Sequence, residues 1–104
     1  MRGDVHRYTV PRGTRRSEQH GPRYAVVLQA DDLPLSTLLV APTSRSAIPR
    51  AFRPTVVVMG ETTQVLLEQS TAITAERLGE LVGHVSRAER EEIDDALRLV
   101  LQLD

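Results

Sequence analysis

The apolar residues of this chain are broken into short runs: YAVVL at 24–28, TLLVA at 37–41, TVVVM at 55–59 and VLL at 65–67, each closed by Pro, Gly or a polar cluster. Runs of this length, rich in β-branched residues and bounded by turn signals, read as strands rather than helices. None approaches the roughly 20 apolar residues that a membrane-spanning helix needs. The reading is five strands, over GDVHRYTV (3–10), RYAVVLQ (23–29), TLLVAPT (37–43), TVVVMG (55–60) and TQVLLEQSTAI (63–73). A short helical turn over TAERLGEL (74–81) and a brief strand around LVGHV (81–85) follow. Strands at this spacing, mostly joined by brief turns, imply an antiparallel barrel or curled sheet.

The C-terminal segment differs in period. Ser86 with Glu89 three residues on is a capping-box signature, and Glu89, Glu91 and Glu92 fill the first turns, where the helix dipole favours acids. Ile93, Ala96, Leu97, Val100 and Leu101 form one apolar stripe at helical spacing, so a helix packed on the sheet is expected over 86–103. The fold class is therefore α+β, mainly β. At 104 residues the chain has room for a single domain over 1–104. Its core has to be built from Val, Leu, Ile and Ala, because Tyr8, Tyr24 and Phe52 are the whole aromatic set. A core this small is one that dimerisation would help.

Composition removes several classes of function. There is no cysteine, which excludes disulfides and thiolate metal sites. His6, His20 and His84 have no paired spacing, so no metal or other cofactor is expected. The start, MRGDVHRYTV, has no apolar h-region of a secretory signal, and the default location is the cytoplasm. No P-loop pattern and no Gly-x-Ser-x-Gly elbow occurs. Asp31 and Asp32 fall in a turn, and Asp94 and Asp95 on adjacent helix positions, as solvated carboxylates do.

The net charge of −1 hides an asymmetry. Residues 1–60 hold nine Arg and four acids, a formal +5; residues 61–104 hold four Arg and ten acids, a formal −6. Every cation except histidine is Arg, which suits bidentate phosphate contacts; an arginine-biased genome gives the same usage without the asymmetry. Arg12, Arg15, Arg16 and Arg23 surround a polar loop of a dozen residues, and Arg45, Arg50 and Arg53 a second loop. Loops of that length are more often functional than idle. Placed at one end of a barrel they make a positive groove for a phosphate backbone; placed apart they are a solvated surface.

The order of these elements resembles the MazF/PemK family of toxin endoribonucleases. Arg2, Gly3, Asp4 and Val5 match the family's opening. Glu18, Gln19, Gly21, Arg23 and VVLQAD match its first loop and second strand, and LLVAPTS supplies Thr43 and Ser44. VLLEQS supplies Glu68 and Gln69, and Arg77, Leu78, Gly83 and the capped helix close the pattern. Three positions depart from it: Tyr24 stands where the family has Pro, Ala30 where it often has Asn, and no cation follows Glu68–Gln69. The last two bear on substrate contacts and so on sequence specificity.

The resemblance implies an SH3-like barrel and metal-independent cleavage of single-stranded RNA by the ribose 2′-OH, leaving a cyclic phosphate and a 5′-OH. It carries the catalytic pair over to Arg23 and Thr43. Arg16, Glu18, Gln19, His20, Ser44, Glu68 and Gln69 are the substrate-binding candidates. A guanidinium with a pKa above about 12 is a poor general base; His20 and Glu18 are nearer in pKa, and a solvated loop histidine is the plainer reading of His20. The resemblance further implies a homodimer, neutralised by an antitoxin with an acidic, disordered tail that competes with RNA for the basic groove. Two other classes compete. CcdB-type toxins share the fold but bind DNA gyrase through a Trp-bearing C-terminus, whereas this chain has no Trp and ends Gln102, Leu103, Asp104. An SH3-like adaptor would want more surface aromatics.

Overall fold

The computed structural model describes residues 1–8 and 23–103. Among these residues there are seven strands: β1 (Asp4–Tyr8), β2 (Tyr24–Val27), β3 (Thr37–Ser44), β4 (Thr55–Val58), β5 (Glu61–Val65), β6 (Thr71–Thr74) and β7 (Leu78–His84). They pair antiparallel in the order β4-β5-β3-β2-β1-β7, with β6 added to β3, and curl into a half-barrel. The helix α1 (Arg87–Leu101) closes the chain's described part.

β2 explains why its sequence shows no alternation. All four of its residues are buried, because both faces of the sheet are covered at this strand. Tyr24 and Val26 face the main core with Val5, Leu28, Val56, Val65, Leu67, Ile93 and Ala96. Ala25 and Val27 face a smaller cluster with Val40 and Ile73. The strand β4, by contrast, lies at an edge and alternates, with Val56 and Val58 inward and Thr55 and Val57 outward. It turns into β5 through Met59 and Gly60, both at positive φ (51° and 83°), the backbone of a two-residue hairpin turn of the primed kind.

The expected fifth strand, 63–73, is two strands. Val65 faces Thr43, but Thr71 faces Val40. Three steps along β3 are thus matched by six along its neighbour, and the 3-10 turn Leu67–Gln69 takes up the excess. The apolar run predicted continuous pairing, but Leu66 and Leu67 point into the core through the turn rather than along a ladder. The TAERLGEL segment resolves into a 3-10 turn, Ala75–Arg77, followed directly by β7, which is longer than the brief strand expected.

The helix begins as its sequence predicts. Ser86 accepts from the Glu89 N–H at 3.1 Å and the Glu89 carboxylate accepts from the Ser86 N–H at 2.8 Å. Ile93 and Ala96 are buried and Leu97 packs beside them, while Val100 and Leu101, expected in the same apolar stripe, lie exposed. Among the described residues no helix is long and apolar enough to cross a membrane.

Candidate active site

Arg23 immediately precedes β2, and its carbonyl accepts the Tyr8 N–H at 3.0 Å, which fixes the backbone at the strand mouth. The guanidinium stem is half-buried, with Nε shielded from solvent. The β2–β3 register places Ala25 opposite Pro42. Continued to the strand mouth, it sets Tyr24 beside Thr43 and Arg23 beside Ser44. Arg23 and Thr43 therefore lie at the same end of adjacent antiparallel strands, one row apart rather than directly opposite each other.

Thr43 is buried, 2% exposed, and its hydroxyl donates to the Tyr24 carbonyl at 3.3 Å. Hydroxyl donors usually sit about 2.7–2.8 Å from their acceptor, so this bond is long and readily exchanged. Ser44 is buried too, with its hydroxyl 3.2 Å from that of Ser46.

The break between β5 and β6 belongs to the same place. The Leu66 N–H bonds the Pro42 carbonyl at 2.9 Å, and Pro42 faces Ala25, so the chain leaves the sheet two residues along from Arg23. The extra residues that leave it include Glu68 and Gln69, both exposed. Irregular insertions of this sort re-aim side chains and concentrate beside functional sites. Sequence periodicity could not show this, because the insertion is defined only by what β3 pairs with on either side.

Of the basic rim, the second loop is described. Arg45 pairs with Glu61 at 2.5 Å. Arg53 pairs with Glu68 at 2.7 Å and lies over the Phe52 ring, 5.4 Å from its centroid. The Arg50 carbonyl accepts the Arg53 N–H at 2.8 Å, closing the loop on itself. Arg12, Arg15, Arg16, Glu18, Gln19 and His20 lie outside the described residues.

Two features of the mouth escaped the sequence reading. Tyr24 is 8% exposed and its hydroxyl donates to the Met59 sulfur at 3.8 Å, as does Arg7 at 3.9 Å. The tip of the β4–β5 hairpin is thereby in contact with the start of β2, next to Arg23. The second is the Arg53–Glu68 pair itself, whose members are fifteen residues apart in sequence.

Away from the mouth, a cavity of about 470 Å³ opens between β7 and α1, lined by His84, Val85, Arg87, Arg90, Glu91 and Asp94. Among the described residues no three His, Asp or Glu side chains gather to hold a metal ion.

Comparison with known proteins agrees with this architecture. Residues 1–101 match the family described as PemK-like, MazF-like toxin of type II toxin-antitoxin system. A Mycobacterium tuberculosis protein named as toxin Rv3098A is 36% identical over 104 residues, covering 99% of this chain and 98% of that one. Among solved structures, the Mycobacterium tuberculosis toxin MazF-mt6 superposes with a TM-score of 0.78 at 16% identity, over 97% of this chain and 98% of its own. A mycobacterial endoribonuclease in complex with its cognate antitoxin gives 0.77 at 18% identity, over 100% and 96%. At such identities the structural likeness speaks for the fold.

Proposed function

The chain belongs to the PemK-like, MazF-like toxin family of type II toxin-antitoxin systems, and from that premise we propose that it is an endoribonuclease that cuts single-stranded RNA at the mouth of β2 and β3. The observation that carries the reading is the placement of Arg23 beside the ends of β2 and β3, with the Thr43 hydroxyl in the next row. Attack of a ribose 2′-OH on the adjacent phosphate gathers negative charge on the non-bridging oxygens. A preorganised guanidinium and a hydroxyl donor stabilise that charge, and removing one such donor costs a factor of about 10² to 10³ in rate.

Thr43 gives up its 3.3 Å bond to the Tyr24 carbonyl to donate to the phosphate, an exchange that strengthens it because the acceptor is then ionic. Glu68 and Gln69, set off the sheet by the 3-10 turn, reach base edges, which single-stranded RNA exposes. Arg16, Glu18, Gln19, His20 and Ser44 complete the substrate contacts in this reading, with the 2′-OH proton taken by Glu18 or His20. The functional unit is a homodimer, and the natural inhibitor an antitoxin whose acidic tail lies where RNA would.

The test is cleavage of a long single-stranded RNA in EDTA, with the ends mapped. The unaltered chain leaves 5′-OH ends, and Arg23→Ala and Thr43→Ala each lower kcat at least a hundredfold. Intact RNA after incubation with the unaltered chain, or full activity in Arg23→Ala, overturns the reading.

A further inference from the structure

The Arg53–Glu68 pair is built in a way that ordinary surface pairs are not. Both side chains are 28% exposed, so the pair lies at the surface with each charged group partly covered. Two donors of the guanidinium, Nε and Nη2, converge at 2.7 Å on the same oxygen, Glu68 Oε2. The guanidinium also covers the Phe52 ring, and the Arg53 N–H is held by the Arg50 carbonyl. Two contacts therefore hold the Arg53 head group, the Glu68 oxygen and the Phe52 ring, while the bond to the Arg50 carbonyl fixes the backbone that carries it. Oε1 lies outside that fork.

The location gives the pair its meaning. Glu68 sits on the 3-10 turn that leaves the sheet where Leu66 bonds Pro42, across β3 from Ala25 and two rows along from Arg23. An unpaired carboxylate there repels any phosphate backbone that approaches Arg23. The segment that follows, Ser70 to Ala75, has no basic residue to offset it. The offsetting charge comes instead from the loop between β3 and β4.

We infer that Arg53 is a positioning residue for RNA recognition: it neutralises Glu68 and locks its carboxylate so that Oε1 accepts one hydrogen bond from a base amine or imine at a fixed place. Arg53 acts through Glu68 rather than on the reacting phosphate. The inference rests on the RNA-cleaving reading above and adds to it which residue sets specificity and why. A Lys at the same position keeps the charge but has neither the planar fork nor the stacked face, so it restores the neutralisation and only part of the geometry.

The test compares the unaltered chain with Arg53→Ala, Arg53→Lys, Glu68→Gln and the Arg53→Ala/Glu68→Gln double variant. Cleavage sites are mapped on one long RNA, and kcat and KM measured on a short RNA carrying the preferred site. Arg53→Ala is expected to raise KM about tenfold with kcat within a factor of about three, and to relax the base preference at one nucleotide position. Glu68→Gln relaxes the same position, the double variant is no worse than the poorer single one, and Arg53→Lys recovers part of KM with less of the preference. If Arg53→Ala fails to fold, Glu68→Gln, of the same shape without the charge, decides the matter by whether a single position is relaxed. An unchanged cleavage map with KM within twofold, or effects of the two substitutions that multiply, overturns the inference while leaving RNA cleavage standing. Failure of the unaltered chain to cut RNA overturns both, and is told apart by that first measurement.

Discussion

Tyr24 shows what a single residue does that its neighbours in sequence do not disclose. The family pattern puts Pro there, and the aromatic ring in its place reaches Met59, thirty-five residues on, at the tip of the β4–β5 hairpin. That partnership was illegible in the sequence because nothing local marks it. Arg23, one residue earlier, was legible through loop length, charge and the ordered family elements. Thr63 makes a complementary point. It is 1% exposed beside Val56, and its hydroxyl has no partner among the described residues. A buried hydroxyl without a hydrogen bond costs about 1–3 kcal/mol. Thr63→Val, nearly the same shape, is therefore expected to raise stability by about 1 kcal/mol, read as a higher denaturant midpoint at unchanged slope. A lower midpoint would show that the hydroxyl is satisfied after all.

Elements with local signals were readable in the sequence, and those defined by partners were not. The C-terminal helix announced itself through Ser86, Glu89 and its apolar stripe. The splitting of TQVLLEQSTAI had no local signal, since each half is a good strand and only the offset against β3 separates them. Glu89 joins two elements at once: one oxygen completes the capping box, and the other accepts the Val57 N–H of the edge strand at 2.8 Å. Glu89→Ala removes both bonds and is expected to cost about 2 kcal/mol, measured by thermal unfolding. A loss of about 1 kcal/mol or less would mean that the cap alone is at stake.

The β1–β7 pairing carries a pH signature. Burial by itself raises the Asp4 carboxyl, but its hydrogen bonds to His84 and to the Met1 ammonium outweigh that and hold it below the usual aspartate value. A lowered folded pKa means the unfolded chain binds the proton more tightly. The contribution is thus present above the ordinary aspartate value and lost as pH falls through the folded one. Asp4→Asn should lower the melting temperature at pH 7, with the gap closing as pH drops below 4 or so. A gap that stays constant down to pH 2 would place the effect in packing, where Gly3 at φ 92° already leaves little room against His84.

At the scale of the molecule, the two half-chains of opposite charge fold into one sheet with one mouth. The first half supplies β1–β3, β4 and the described arginines of the rim; the second supplies β5, the 3-10 turn with Glu68, and the acidic helix. The fold was readable at this scale because short strands and one capped helix admit few arrangements. The proposed pair was readable in the sequence because Arg23 and Thr43 stand at the ends of consecutive strands, whereas the Arg53–Glu68 contact was not, because it joins segments that only the fold brings together. If the mouth is the RNA groove, binding releases counterions from the strand, and affinity falls with salt at a log–log slope of about −0.7 for each phosphate neutralised. With about three arginines engaged, raising salt from roughly 50 to 200 mM should weaken binding about 20-fold. The measurement uses an RNA methylated at the 2′-oxygen of the cleavage site, so that binding is read without cleavage. Arg53→Ala should flatten the slope by well under one phosphate contact, because Glu68 already takes most of its charge. Glu91→Gln, beside the cavity between β7 and α1, should leave the slope unchanged. A salt-independent affinity, or a slope that responds to Glu91 and not to Arg23, would move RNA binding from the strand mouth to the helix side of the molecule.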